Sequence, residues 1–471
     1  MAPCKPVKIL DHCTVAPPPG SVAMPIADIP LTFFDQLWLP LPSSQTIHYY
    51  DYPYPLPLIT QSLIPQIKLS LSCTLIHFYP LAGKISWPHD SYRPLIRYGD
   101  GDSVSVTIAE SDADFNLVTS DHPRDATESH PFVPDLQSAG PFLPVLAIQI
   151  TIFPNFGLSI GMTTNHSMID GRSIAHFMRT WALMSKLGDA TKSLSIESPP
   201  FLDRTVIKDP TGIEKIYLNE LERFMGTEFV SGNRNLRVMD VKLQPEVVRA
   251  TMELNPTDLR RLKDWVLARH NKVQQPEPIH ISTYVVTCAF AWICLLKAEA
   301  AATEHEPDNN MIHTQTHFNV NLDCRARMKM DPPIPGTYFG NCIRPFMVTT
   351  EKNNLLREDG VVVASQLIGE AIQRVNKDVL RGQEDSISNL LRLESGRVFA
   401  AAGSPRAGLY GVDYGWGRPK KVEFVSSDRM GCMFMKESRK LDGGMEIDFA
   451  FNKKEMDAFA SLFNGLRLIF D

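Results

Sequence analysis

Between residues 156 and 182 the apolar period of the chain changes from two to 3.6, and this switch constrains the fold more than any other feature. Phe156, Leu158, Ile160 and Met162 alternate with Gly157, Ser159, Gly161 and Thr163, marking a strand with one apolar face. Ile174, Phe177, Met178, Trp181 and Ala182 then recur at helical spacing, so a helix begins near Gly171 and buries that stripe. Between them lies Asn165-His166-Ser167-Met168-Ile169-Asp170. A histidine there can face a cleft while elements on both sides fix its backbone. Its ordinary pKa of about 6.5 suits proton transfer near neutral pH.

A chain of 471 residues with 13 histidines should contain about one His-x-x-x-Asp by chance. His166 and Asp170 therefore do not define a site by themselves, and a histidine that only hydrogen-bonds a neighbouring carbonyl is the plain alternative. The strand-to-helix setting adds weight, as does a second stretch, Asp413-Tyr414-Gly415-Trp416-Gly417-Arg418-Pro419. This one is too rich in glycine for a helix. Gly415 and Gly417 permit positive φ and close backbone approach, which favours a structural role.

The length suggests two domains of about 200 residues each, residues 1–190 and 246–471, joined by a crossover over 191–245. Composition is that of a globular protein, 44% hydrophobic and 21% charged with a net charge of -6. No basic block interleaved with aromatics calls for nucleic acid or an anionic membrane. No run of 18 apolar residues occurs and no apolar h-region follows Met1, so a cytoplasmic enzyme is the expectation, and it is read as a monomer. The eight cysteines show no CxxC or Cys/His spacing and read as reduced, mostly buried thiols, not a disulfide frame or metal site.

Residues 1–60 are proline-rich, and the first regular element is expected at 32–38. Residues 62–77 have helical spacing with Pro65 in the first turn. Residues 103–109 alternate as a strand, 110–140 read as acidic loop, and 145–153 with 156–164 form a hairpin about Pro154-Asn155. Helices are expected at 172–186 and 213–224. Beyond the crossover they are expected at 257–266 with Asn255 or Thr257 as cap, at 282–301, at 364–379 and after the strand of Met445, Ile447, Phe449 and Phe451. A strand is expected at 317–322, and residues 302–310 read as a polar loop. Strands and helices mixed in both halves give an α/β or α+β class.

The two stretches resemble the HxxxD and DFGWG signatures of the plant BAHD acyltransferases. So do Leu31-Thr32-Phe33-Phe34-Asp35, Phe78-Tyr79-Pro80-Leu81-Ala82-Gly83-Lys84, Ser282-Thr283-Tyr284 with Ala291-Trp292, and Tyr338-Phe339-Gly340-Asn341-Cys342, all in family order. The last run, with Asp170-Gly171-Arg172-Ser173, is similar to the branch that malonylates anthocyanin, flavonoid and other phenolic glucosides. The resemblance implies two chloramphenicol-acetyltransferase-like domains, each a mixed sheet with flanking helices, and a channel between them. It implies CoA-dependent O-acyl transfer, with malonyl-CoA as co-substrate and no bound cofactor or metal. His166 would be the general base on a sugar hydroxyl that attacks the thioester directly. Asp170 would form a structural ion pair, with Arg325 first and Arg327 second as partner, in preference to direct catalysis.

The Asp413 stretch would shape the CoA channel from a distance, with the Trp416 indole N–H a candidate oxyanion donor and Tyr414 in place of the family's phenylalanine. Thr32 is a second candidate donor, set against simple capping. Arg172 is a cation where helix starts favour acids. It could clamp the free carboxylate of a malonyl group bidentately, set against a solvated surface arginine. Lys263, Arg260 and Arg261 are candidates for the CoA phosphates, set against charges that only solvate a helix face. Ser404 and Arg406 fall in a donor-side segment usually followed by phenylalanine, where this chain has Ala407. The rivals are an aromatic acyltransferase using coumaroyl- or caffeoyl-CoA on similar glucosides, and a catalytically silent small-molecule-binding relative.

Overall fold

The computed structural model describes residues 6–23, 26–136, 140–188, 198–242, 246–273, 281–302, 314–392 and 399–465. The strands of its two large sheets, in chain order, are β1 (Lys8–Val15), β2 (Ser44–Asp51), β3 (Val104–Glu110), β4 (Arg124–Asp125), β5 (Leu146–Phe153), β6 (Gly157–Thr164), β7 (Val247–Leu254), β8 (Gln315–Asp323), β9 (Ile343–Glu351), β10 (Phe399–Ser404), β11 (Lys421–Phe424), β12 (Cys432–Glu437) and β13 (Met445–Asn452). They form two mixed sheets. The first runs β1-β3-β5-β6-β2-β11 and the second β9-β8-β10-β12-β13-β7-β4. A smaller four-stranded sheet pairs Ile26–Pro30, Leu95–Gly99, Lys84–Ser86 and Leu143–Pro144.

The main helices are α1 (Ile64–Leu75), α2 (Gly171–Leu187), α3 (Ile213–Met225), α4 (Pro256–Val273), α5 (Thr283–Ala302), α6 (Gly360–Lys377) and α7 (Lys453–Asn464). One core gathers Phe34, Phe78, Ile148, Ile160, Phe177 and Trp181. The other gathers Trp292, Phe318, Ile368, Ile447 and Phe459. α5 is apolar on every side because it packs against α4, α6 and α7 inside the second core.

Each sheet takes one strand from the other half of the chain. β11 pairs antiparallel with β2, and β4 pairs antiparallel with β7. At this exchange Glu423 of β11 is fully buried and accepts two bonds from Arg124 Nη2, at 2.7 and 2.6 Å, and one from Ser129 Oγ at 3.1 Å. Arg249 of β7 pairs with it at 2.8 Å and also with Asp428. Burial alone would raise the Glu423 pKa, but Arg124 and Arg249, with Lys421 and Lys436 behind them, hold it down to about 2.

The hairpin and α2 stand where the apolar periods put them, with Asn155 at φ 68 in the turn. Asn155 and Glu246 are among the few non-glycine residues with positive φ. α4 is longer than expected and is capped by Asn255, whose Oδ1 accepts from Asp258 N at 2.8 Å. Pro65 stands in the first turn of α1, as expected, and the helical run is extended ahead of it by Leu56–Leu58 and a π-turn over Ile59–Leu63.

Several expectations need correcting. Residues 1–60 hold β1 and β2, and the 110–140 loop contains β4 and a 3-10 turn over Ala126–Phe132. β9, β10, β11 and β12 had no counterpart in the sequence reading. Most of the loop expected at 302–310 lies outside the described residues. The cysteines among the described residues are all free, and Cys73, Cys288, Cys294, Cys324 and Cys342 are buried.

Candidate functional site

β6 ends at Thr164 and α2 begins at Gly171, and the residues between turn the chain. Asn165 shapes the turn by accepting at Oδ1 from Ser167 N at 3.1 Å and Ser167 Oγ at 2.7 Å. His166 is thereby set, half-buried, on the wall of a cavity of about 2380 Å³. Trp38, Thr46 and Arg172 line it from one half of the chain, Tyr284, Asn319, Phe346 and Gly403 from the other. This exceeds the ~300–1,000 Å³ of an ordinary ligand pocket, so two substrates fit together.

The imidazole stacks on Trp38, with centroids 4.3 Å apart and planes at 13°. Nδ1 is buried and makes no hydrogen bond among the described residues, which leaves Nε2 as the nitrogen available to the cavity. Burial lowers the pKa of the ring below its usual value, against smaller opposing effects of its own carbonyl, Asp170, Asn341 and Asp35. A neutral imidazole on the wall of a cavity for two reactants can take up a proton there.

Asp170 is fully buried and its carboxylate is fully engaged. Oδ1 caps α2 by accepting from Ser173 N at 2.9 Å, while Oδ2 pairs with Arg325 Nη1 at 2.8 Å and accepts from Cys342 N at 3.1 Å. Burial would raise its pKa, but Arg325 and the two backbone donors outweigh that and lower it. No hydrogen bond joins Asp170 to the His166 ring. Arg327 lines the cavity and donates instead to Asn376 Oδ1 at 2.8 Å.

Asp413 grips the other end of the same helix. Its Oδ1 accepts from Gly415 N at 2.8 Å and Gly417 N at 2.9 Å, and Oδ2 pairs with Lys186 in the last turn of α2 at 2.8 Å. Gly415 and Gly417 need φ 103 and 102 to deliver those N–H groups. Tyr414 is buried against Trp181 of α2, 5.2 Å between ring centroids and edge-on. The two signature aspartates thus fix α2 from opposite ends. Its start is held beside the cavity.

Two proposed oxyanion donors are misplaced. Thr32 is buried, its hydroxyl donates to Asp35 Oδ2 at 2.8 Å, and it does not line the cavity. Trp416 packs among Tyr50, Tyr52 and Tyr414 and is likewise absent from the lining. Nor do Arg260, Arg261 and Lys263 reach the cavity. Leu259, Leu262 and Val266 bury the inner face of α4, which turns those cations outward. The cations that do line it include Arg172, Arg179, Lys242, Arg381, Arg406 and Arg429. Lys242, Arg381 and Arg406 sit on separate loops, so no local pattern announces those three.

Arg172 is exposed on the cavity wall with Nη1 3.2 Å from Asp323 Oδ2. Ser404 and Arg406 also line the cavity, the Arg406 N–H donating to Ser404 Oγ at 3.1 Å. Arg179, two helical turns beyond Arg172, was missed. It lines the same wall, donates to Ala407 O at 2.8 Å, and has its pKa lowered by burial and by Arg172. The seven-residue spacing on one helix face was a readable signal for it. Trp38 was missed as well, although it stands three residues past Asp35 in a stretch already singled out. Among the described residues, no group of three His, Cys, Asp or Glu side chains is placed to hold a metal.

The two-sheet architecture with a histidine on the shared cavity is that of the two-domain CoA-dependent acyltransferases. Vinorine synthase, in its crystal structure, superimposes with a TM-score of 0.65 over 97% of this chain and 98% of its own, at 18% identity, a likeness of fold alone. In sequence, the Transferase family matches residues 6–466. A phenolic glucoside malonyltransferase of Nicotiana tabacum is 39% identical over 466 residues, covering 97% of this chain and 98% of the relative. A coumaroyl-CoA:anthocyanidin 3-O-glucoside-6''-O-coumaroyltransferase of Arabidopsis thaliana is 35% identical over 475 residues, 98% of each chain. The chain belongs to this transferase family, the BAHD acyltransferases.

Proposed function

We propose that this acyltransferase moves a malonyl group from malonyl-CoA to a sugar hydroxyl of a phenolic, flavonoid or anthocyanin glucoside. His166 Nε2 takes the hydroxyl proton as the alcohol oxygen attacks the thioester carbonyl. The tetrahedral intermediate then expels the CoA thiolate, which takes that proton back from the imidazolium. Neither a covalent acyl-enzyme nor a bound cofactor enters this sequence. Asp170 and Arg325 hold the turn and α2 without sharing the proton. The glucoside's primary hydroxyl is the favoured acceptor because it is least hindered.

The observation that carries the malonyl reading is Arg172, an exposed cation on the cavity wall six residues beyond His166, with Arg179 on the next turns of the same face. A carboxylate at the free end of the acyl group meets a guanidinium there, a charged hydrogen bond worth ~1.5–3 kcal/mol, or roughly 10–150-fold in binding. The test is a matrix of malonyl-, acetyl- and p-coumaroyl-CoA against phenolic glucosides, following thiol release and product mass. Arg172→Ala should raise KM for malonyl-CoA at least ~10-fold and leave that for acetyl-CoA unchanged. Equal effects on both donors would overturn the malonyl assignment, and a wild-type preference for p-coumaroyl-CoA would replace it with the aromatic one.

A further inference from the structure

We propose that Asp323 sets the acyl-donor selectivity of the cavity by sharing Arg172 with the substrate. Its carboxylate offsets part of the guanidinium charge, so a malonyl group is held by a cation already half satisfied and is let go after transfer. The proposal rests on the reading of Arg172 as the malonyl clamp.

β8 ends at Asp323. Its alternation puts Asn319, Asn321 and Asp323 on the cavity wall and sends Phe318, Val320 and Leu322 into the second core. Asp323 is the one charged member of that row, and it stands between two arginines. Oδ1 accepts from Arg325 N at 3.0 Å and Arg325 Nη1 at 3.3 Å, while Oδ2 accepts from Arg172 Nη1 at 3.2 Å. The two oxygens are thus divided. One is tied to the buried arginine that pairs with Asp170, the other to an arginine whose side chain is 54% exposed. The inner bonds fix where the carboxylate stands, and the outer one presents its charge to the wall.

Among the described residues Asp323 is the hydrogen-bond partner of the Arg172 side chain, and it occupies Nη1 alone. A Cβ at Gly336 would stand 3.3 Å from Nη2, so the glycine leaves the other edge of the guanidinium clear for a second carboxylate. Two carboxylates across one guanidinium stand roughly 6 Å apart, and their repulsion weakens binding of the incoming one roughly 3–100-fold between the limits of bulk water and a protein surface. That loss is useful. The malonylated product carries the same carboxylate as the donor, so a clamp that grips one grips the other, and uniform binding of both adds nothing to the rate. With Arg179 on the same wall, an Arg172 without its counter-charge would retain both.

The test is steady-state kinetics of the full-length wild type, Asp323→Asn, Arg172→Ala and the double variant, with malonyl-CoA and acetyl-CoA on one phenolic glucoside. Asparagine keeps an oxygen for Arg325 N and removes the charge. Asp323→Asn should lower the ratio of KM for malonyl-CoA to KM for acetyl-CoA at least ~3-fold, and tighten inhibition by the malonylated product by a similar factor. The gain should shrink in about 1 M salt, where charges are screened within ~3 Å, and vanish when Arg172 is alanine. A carboxylate that only props β8 changes both donors alike, and one that only aims Arg172 raises the ratio. A ratio that stays or rises, or a gain that survives Arg172→Ala, therefore overturns the proposal. Asp323→Ser supplies the same readout where the asparagine variant does not fold. Arg172→Ala alone separates the two readings: a ratio unmoved there removes the malonyl clamp itself, whereas a ratio that rises there and is unmoved in Asp323→Asn removes only the counter-charge.

Discussion

Replacing Glu423 by glutamine tests the exchange of strands between the two halves. The native carboxylate is fully buried, bonded twice by Arg124 and paired with Arg249, so the change leaves two buried guanidiniums facing a neutral amide. Breaking a buried pair costs ~3–5 kcal/mol. The depressed pKa gives the same scale: a carboxyl at about 2 in the fold against 4.5 ordinarily corresponds to about 3 kcal/mol at neutral pH. For a cooperative unit of this length the unfolding entropy is about 1 kcal/mol per degree, so Tm should fall about 3–5 °C at pH 7. The sign of the pH dependence follows from the lowered pKa. The contribution is complete above about pH 4.5 and is lost as pH falls towards 2, so the gap between variant and wild type should narrow across that window. Urea unfolding at pH 7 and at steps down to pH 3 measures it. A deficit under ~1 kcal/mol at pH 7, or one that does not shrink on acidification, would refute the reasoning.

With the neutral His166 ring as the proposed base and its pKa held by burial below the usual 6.5, kcat/KM should rise with pH on a limb centred below 6.5 and be flat at neutrality; a midpoint above 7 would contradict this. Gly340→Ala, which sets a Cβ 1.4 Å from Arg204 Nη1, should destabilise the protein by about 2.5–6 kcal/mol, combining ~1–3 for overpacking with ~1.5–3 for the displaced Arg204 hydrogen bond to Tyr338, and denaturant titration reads it directly. Trp416→Phe should cost far less turnover than the ~10²–10³-fold of a lost oxyanion donor, and steady-state kinetics showing a loss on that scale would return the indole to the site.

The parts of the fold legible in the sequence are those whose own period reveals them. The β5–β6 hairpin, α2 and α5 each bury a complete stripe or surface, so their apolar spacing sufficed. β4 and β11 are two and four residues long and exist only because a partner from the other half supplies their ladder, which no local pattern records. The edge strand β1 alternates too weakly among polar residues to be seen. In the site, the turn at His166 and the pair Asp170 with Arg325 were readable because a motif marks each. Thr32, Trp416 and the α4 cations were misassigned because chemistry alone nominated them, whereas their placement depends on which face of an element turns inward. Arg204 and Asn341 matter through contacts with Asp35, His166 and Tyr338, each 134 or more positions away in sequence. Only coordinates bring those together.

The reciprocal loan of strands also bears on traffic. Two lobes that share sheet ladders and a buried cluster of arginines cannot part like jaws around a guest. Acyl-CoA and a small-molecule acceptor must thread the cavity from its mouths, and the spent thiol must back out along the route it came by. Turnover in such a molecule is governed by clearance along a fixed bore, so substitutions that narrow its lining should slow release even where the acyl-transfer step itself is untouched.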